Sequence, residues 1–125
     1  MNANGHDARR LVEIRAYRLI AGTRDDFHAA VTGRALPMVR AYGMDVVAHG
    51  PTPNDDNGYF LVRSFASLAE LTAQEDEFYG SAAWRDGPRE ALVSRIETYV
   101  DVLLWLSPAA IEDLRAGNVP PPVRA

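Results

Sequence analysis

From Leu11 to Leu19 apolar and polar positions alternate. Val12, Ile14 and Ala16 fall on one side, and Glu13, Arg15 and Tyr17 on the other, which is the period of two of a β-strand. Gly22 closes that run, and Thr23 with Asp26 three residues on reads as a capping box that opens a helix. Phe27, Val31, Ala35, Met38 and Tyr42 recur at helical spacing, Gly33 and Pro37 predict a kink or break, and Gly43 is a natural stop. Met44 to Gly50 reads as a second strand, Pro51 to Gly58 as a solvated loop, and Tyr59 to Phe65 as a third strand. Ser67 with Glu70 is a second capping box, whose helix runs to about Tyr79 before Gly80. Ser81 to Asp86 is a connector carrying Trp84, and Pro88 starts a further helix towards Ile96. Thr98 to Leu106 is the last strand, with Val100, Val102 and Leu104 on one side and Tyr99, Asp101, Leu103 and Trp105 on the other.

The order strand, helix, strand, strand, helix, strand predicts an α+β domain of the ferredoxin-like βαββαβ type over residues 11–106. Residues 1–10 read as a disordered leader, and residues 107–125 as a short helix from Ser107-Pro108 to Gly117 with a mobile Pro-rich tail. A four-stranded sheet with helices on one face leaves its other face bare. The side opposite the aliphatic one includes Tyr17, Val47, Tyr59, Leu61, Phe65, Tyr99, Leu103 and Trp105. Covering that mixed side with a second copy of the chain is the economical solution, so a homodimer joined through it is expected.

Composition narrows the chemistry. The 125 residues contain no Cys, and all 13 basic residues are Arg. Thiol nucleophiles, disulfides, thiolate-bound zinc, iron–sulfur clusters, Schiff-base lysines and the Lys of a phosphate-binding loop are therefore excluded. A net charge of −4 argues against nucleic acid as a partner. No stretch has the length of a membrane span and the N-terminus lacks a signal-peptide core, so a cytoplasmic protein without a membrane partner is expected. The acidic residues of the Pro51–Gly58 loop lack the alternating ligand spacing of a calcium loop.

Four segments carry a resemblance. Val12-Glu13-Ile14-Arg15-Ala16-Tyr17, Arg34-Ala35-Leu36-Pro37 with Tyr42-Gly43-Met44, Arg63-Ser64-Phe65-Ala66-Ser67-Leu68 and Ser81-Ala82-Ala83-Trp84 follow one another in the register of the NIPSNAP family. Between Leu11 and Leu106 the chain resembles that family, which implies a dimeric α+β barrel. The wider superfamily includes cofactor-free antibiotic-biosynthesis oxygenases, small-ring isomerases and cyclases, and haem-binding enzymes. The resemblance thus implies a small-molecule substrate.

Regular alternation gathers the sheet's ionisable groups on the mixed side: Glu13, Arg15, Tyr17, Asp45, His49, Tyr59, Arg63, Tyr99, Asp101 and Trp105. A one-residue bulge would flip any strand's set. Glu13–Arg15 or Asp101–Arg63 pairs sealing a dimer would account for the charges without any activity. As a site, His49, Arg63 and Tyr17 are the catalytic candidates: the imidazole moves a proton near neutral pH, while guanidinium and phenol hold a developing oxyanion. Glu13, Arg15, Tyr59, Asp101 and Trp84 are the substrate-binding candidates. Trp84 reads equally as a loop anchor, and His28 as a partly exposed structural residue. No metal or other cofactor is expected. The expected function is acid–base cyclisation, isomerisation or oxygen insertion on an aromatic or polyketide-like metabolite in natural-product biosynthesis. The alternatives are a non-catalytic ligand-binding or interaction module and haem binding through His28 or His49.

Overall fold

The computed structural model describes residues 9–123; the expected leader, His6 included, lies almost entirely outside them. Four strands, β1 (Arg10–Leu19), β2 (Asp45–Pro51), β3 (Gly58–Phe65) and β4 (Ile96–Leu106), form one antiparallel sheet in the order β2-β3-β1-β4. This is the ferredoxin-like α+β arrangement that the order of elements predicts. No helix among the described residues is long and apolar enough to cross a membrane.

Between β1 and β2 the chain is helical throughout, as α1 (Arg24–Ala30), a π-turn (Val31–Ala35) and α2 (Leu36–Tyr42). The π-turn contains Gly33 and ends two residues before Pro37, so the expected irregularity is absorbed by widening the helix rather than breaking it. Gly43 ends α2 in the left-handed conformation, with φ of +111°. The capping box at Thr23 does not form: its hydroxyl donates to the Ile20 carbonyl (2.7 Å) instead. The box at Ser67 does form, with the Glu70 amide donating to the Ser67 hydroxyl (3.1 Å), and it opens α3 (Leu68–Gly80). The connector carrying Trp84 is itself a short helix, α4 (Ala82–Asp86), followed by α5 (Arg89–Val93) and, after β4, α6 (Pro108–Gly117). Arg24 pins the Pro51–Gly58 loop, its Nη1 donating to the carbonyls of Thr52, Asp55 and Gly58.

The helices cover the opposite side of the sheet from the one expected. Phe27, Val31, Leu36 and Phe78 pack with Leu11, Leu19, Tyr59, Leu61 and Phe65, so the mixed side lies beneath the helices. Among the described residues the aliphatic side is covered only at the β2 end, where Ile111 of α6 meets Val12, Val47, Ala48 and Val62. At the other end Ala16, Val100, Val102 and Leu104 are exposed. The helices stand where a second copy was expected over β1 and β3, while Tyr99, Leu103 and Trp105 of β4 remain exposed on that side.

A bulge in β2 makes the second difference. Val46 faces Arg63 and Ala48 faces Val62, leaving Val47 as the extra residue. Val47 and Asp45 consequently lie on the aliphatic side, where Asp45 accepts from Ser64 (2.5 Å) and pairs with Arg115 of α6 (3.2 Å). His49, beyond the bulge, stays on the helix side. The Pro-rich segment after α6 is seated on the sheet edge, where the His28 Nε2 donates to the Pro121 carbonyl (3.0 Å).

Candidate functional site

Between the mixed side and the helices lies a cavity of about 520 Å³. Val31, Ala35, Leu36 and Val39 form its helical wall, and Leu92, Val93 and Ile96 its far end. Tyr17, Tyr59, Trp84 and Tyr99 give it aromatic surfaces, and Arg15, Glu75 and Tyr79 supply a polar end. A mostly apolar enclosure with a few convergent polar groups is the usual form of a small-molecule site.

Strand register builds that polar end. Glu13 stands opposite Arg63 and Arg15 opposite Asp101, so two cross-strand charge pairs sit side by side over three strands. Arg15 donates from Nε and Nη2 to the two Asp101 oxygens (2.8 and 3.1 Å), and its Nη2 also donates to Glu13 Oε2 (3.0 Å). Arg63 donates from Nη2 to Glu13 Oε1 (2.8 Å) and from Nη1 to the Tyr79 hydroxyl (2.7 Å). Helix α3 lowers Glu75 onto both guanidiniums, 3.0 Å from Arg63 Nη2 and 3.6 Å from Arg15 Nη2. The anticipated Asp101–Arg63 pair does not occur, because register gives Asp101 to Arg15. Arg63 and Glu13 are 0% and 1% exposed. They form a layer behind Arg15, Glu75 and Tyr79, and bear on a bound molecule only through them.

Burial sets the protonation states. It raises the Glu13 carboxyl, as does a hydrogen bond with Glu75, against the pull of Arg63 and Arg15. Burial likewise raises the Tyr17 and Tyr59 phenols, which therefore keep their protons at neutral pH. For Arg15, burial pulls the other way, but its hydrogen bond to Asp101 and the neighbouring anionic groups raise it overall. Tyr17 stands at the cavity as a proton donor and Arg15 as a fixed cation, stacked 4.6 Å over the Tyr99 ring.

Four candidates named from sequence line the cavity: Arg15, Tyr17, Tyr59 and Trp84. Trp84 is also the loop anchor, packed edge-on against Tyr79 with ring centroids 5.0 Å apart. Glu13, Arg63 and Asp101 stand behind it. His49 is not brought to the cavity. It opens instead on a separate groove of about 310 Å³ beside Arg40 and beneath Asn118 to Pro120. Its Nδ1 lies 3.2 Å from the Tyr59 hydroxyl, which also meets His28 Nδ1 at 2.6 Å. Because His28 Nε2 faces a carbonyl and must donate, its Nδ1 accepts the hydrogen bond of the Tyr59 hydroxyl, and His49 Nδ1 donates to Tyr59. His28 is thus buried and fully bonded rather than partly exposed. Tyr59 offers the cavity its ring and not its hydroxyl. Burial, Arg40 and His28 depress the His49 imidazole to about 4, so it is neutral at physiological pH. Among the described residues no cluster of His, Asp and Glu stands where it could hold a metal ion.

Glu75 and Tyr79 were not among the sequence candidates. The available signal was an acidic residue inside an apolar stripe: Leu71, Glu75, Phe78 and Tyr79 share one face of α3.

No protein-family model and no curated protein matches the chain. Solved structures do. A NIPSNAP family protein of unknown function from Agrobacterium tumefaciens superposes with a TM-score of 0.73 at 16% identity, over 80% of this chain and 90% of that one. An uncharacterized NIPSNAP domain protein from Burkholderia xenovorans gives 0.68 at 21% identity, over 78% and 95%. More distant is a Bordetella bronchiseptica protein provisionally classed as an antibiotic biosynthesis monooxygenase, with 0.58 at 19% identity over 79% and 96%. The chain has the ferredoxin-like fold of the NIPSNAP proteins.

Proposed function

We propose that the cavity is the active site of a cofactor-independent enzyme that performs acid–base chemistry on a small aromatic or polyketide-like molecule. The observation that carries this is the convergence of Arg15, Tyr17, Glu75 and Tyr79 at one end of an aromatic enclosure of about 520 Å³. Aromatic walls favour a planar substrate. Arg15 and the protonated Tyr17 hold a carbonyl oxygen as it gains charge, and Glu75 exchanges a proton with the adjacent carbon. Such enolisation is the step common to cyclisation, isomerisation and oxygen insertion. Likeness in fold to the monooxygenase-type protein supports a place in natural-product biosynthesis.

The step is observable without knowing the natural substrate. In D2O, aryl β-dicarbonyl compounds are expected to lose their α-proton NMR signal faster with the protein present. Replacing Glu75→Gln should slow that exchange by about 100-fold or more. A panel without acceleration, or an E75Q variant as fast as the parent, would favour a module that binds its ligand without turning it over.

The working form in this proposal is a homodimer joined through the bare aliphatic side. Support comes from Val100, Val102 and Leu104 on β4 and Ala16 on β1, a contiguous apolar surface without a partner among the described residues.

A further inference from the structure

We propose that Glu13 and Glu75 share a single proton, and that this makes the polar end of the cavity select an uncharged carbonyl or phenol oxygen over a carboxylate. The inference deepens the proposed function and rests on it for the location of the ligand.

Five charged groups meet here: Arg15 and Arg63 against Glu13, Glu75 and Asp101. Asp101 is committed to Arg15 by two hydrogen bonds. The two glutamates converge on the same nitrogens: Arg63 Nη2 lies 2.8 Å from one and 3.0 Å from the other, and Arg15 Nη2 lies 3.0 and 3.6 Å from them. Fully ionised, this set carries one excess negative charge around Glu13, whose side chain is 1% exposed, and Glu75, whose side chain is 15% exposed at the cavity wall. Two carboxylates that share the same guanidinium nitrogens, one of them fully buried, repel each other; one proton between them relieves the repulsion and balances the cluster. The structure leaves room for that proton, since Glu75 Oε2 is buried without a hydrogen-bond partner. Its contact with Arg63 is ionic and not directed. The raised Glu13 carboxyl agrees with this. The remaining groups around the pair cannot supply the balance: burial keeps the Tyr17 phenol protonated, the Tyr79 hydroxyl accepts from Arg63, and Asp76 on α3 is a further acidic group at the cavity wall.

The consequence is selectivity. With both guanidiniums already matched, a carboxylate ligand would bring an unpaired charge into the enclosure. A ketone oxygen held by Arg15 and Tyr17 brings no charge to the pair, and a phenol donates to Glu75 when the proton resides on Glu13. No net charge enters in either case.

Infrared spectra of the full chain at pH 7 with 13C-carboxyl glutamate test the first half without any substitution. A protonated-carboxyl C=O band that moves on labelling and disappears in E13Q and in E75Q is expected; its absence in the parent overturns the proposal. The second half is read by titrating 1-tetralone against 1-naphthoate. The ketone is expected to bind at least about tenfold tighter, and the E13Q/E75Q double variant to reverse the preference. Equal or tighter binding of naphthoate to the parent overturns the selectivity. A band present with neither probe bound refutes the selectivity and the placement of the ligand while leaving the proton sharing in place.

Discussion

Replacing Arg63→Met is expected to destabilise the protein by about 3–5 kcal/mol, the cost of leaving a buried charge without its partner. Arg63 is 0% exposed and is the ligand of Glu13 Oε1, of Glu75 and of the Tyr79 hydroxyl. Its removal leaves Glu13 held only from Arg15, in a place where burial already disfavours the anion. The sign can be checked by a second substitution. Combining Arg63→Met with Glu13→Leu removes both buried charges and should recover a large part of the loss, because a buried ion pair replaced as a whole by apolar groups costs little. Urea denaturation at pH 7 measures both. A single-variant loss below about 1 kcal/mol would mean that Arg63 and Glu13 do not form the closed layer described here.

Val102→Asp is expected to break the proposed homodimer. Val102 stands opposite Ile14 midway along the edge strand β4, on the aliphatic side and half-exposed. Each protomer of a two-fold dimer would lose about 2 kcal/mol of apolar burial and would have a carboxylate to desolvate. Counted twice by symmetry, about 4 kcal/mol or more corresponds to a rise of about 10³ in the dissociation constant. Sedimentation equilibrium is the measurement, with circular dichroism showing that the exposed position leaves the fold intact. A parent chain that sediments as a monomer at micromolar concentration, or a variant as dimeric as the parent, would remove this surface from the account.

The order of elements could be read from the chain because alternation, helical spacing and capping residues are local. So could the grouping of Glu13, Arg15, Tyr17, Tyr59 and Arg63 on one side of the sheet, which follows from a period of two. Which side the helices take is a different kind of question. Both sides of this sheet are rich in large apolar groups, and a period of two carries no information about what packs against either. The bulge at Val47 moved Asp45 to the aliphatic side, and nothing in the run from Met44 to Gly50 marks where an extra residue is accommodated. His49 was chosen for its intrinsic chemistry. Burial first, then Arg40 and His28, keep it neutral, and its bond to Tyr59 spans ten positions of sequence. Glu75 and Tyr79 became visible only when α3 was laid over β1 and β3, since the contacts that give them a role run to Arg15 and Arg63.

The chain contains two tryptophans, and they report on different places. Trp84 lines the cavity, whereas Trp105 sits exposed on β4 outside it. In a 1H–15N spectrum of the 15N-labelled protein titrated with 1-tetralone, the indole signal of Trp84 is expected to shift in a saturable manner while that of Trp105 stays fixed. A saturable shift at Trp105 with Trp84 unmoved would place the ligand elsewhere and contradict the account.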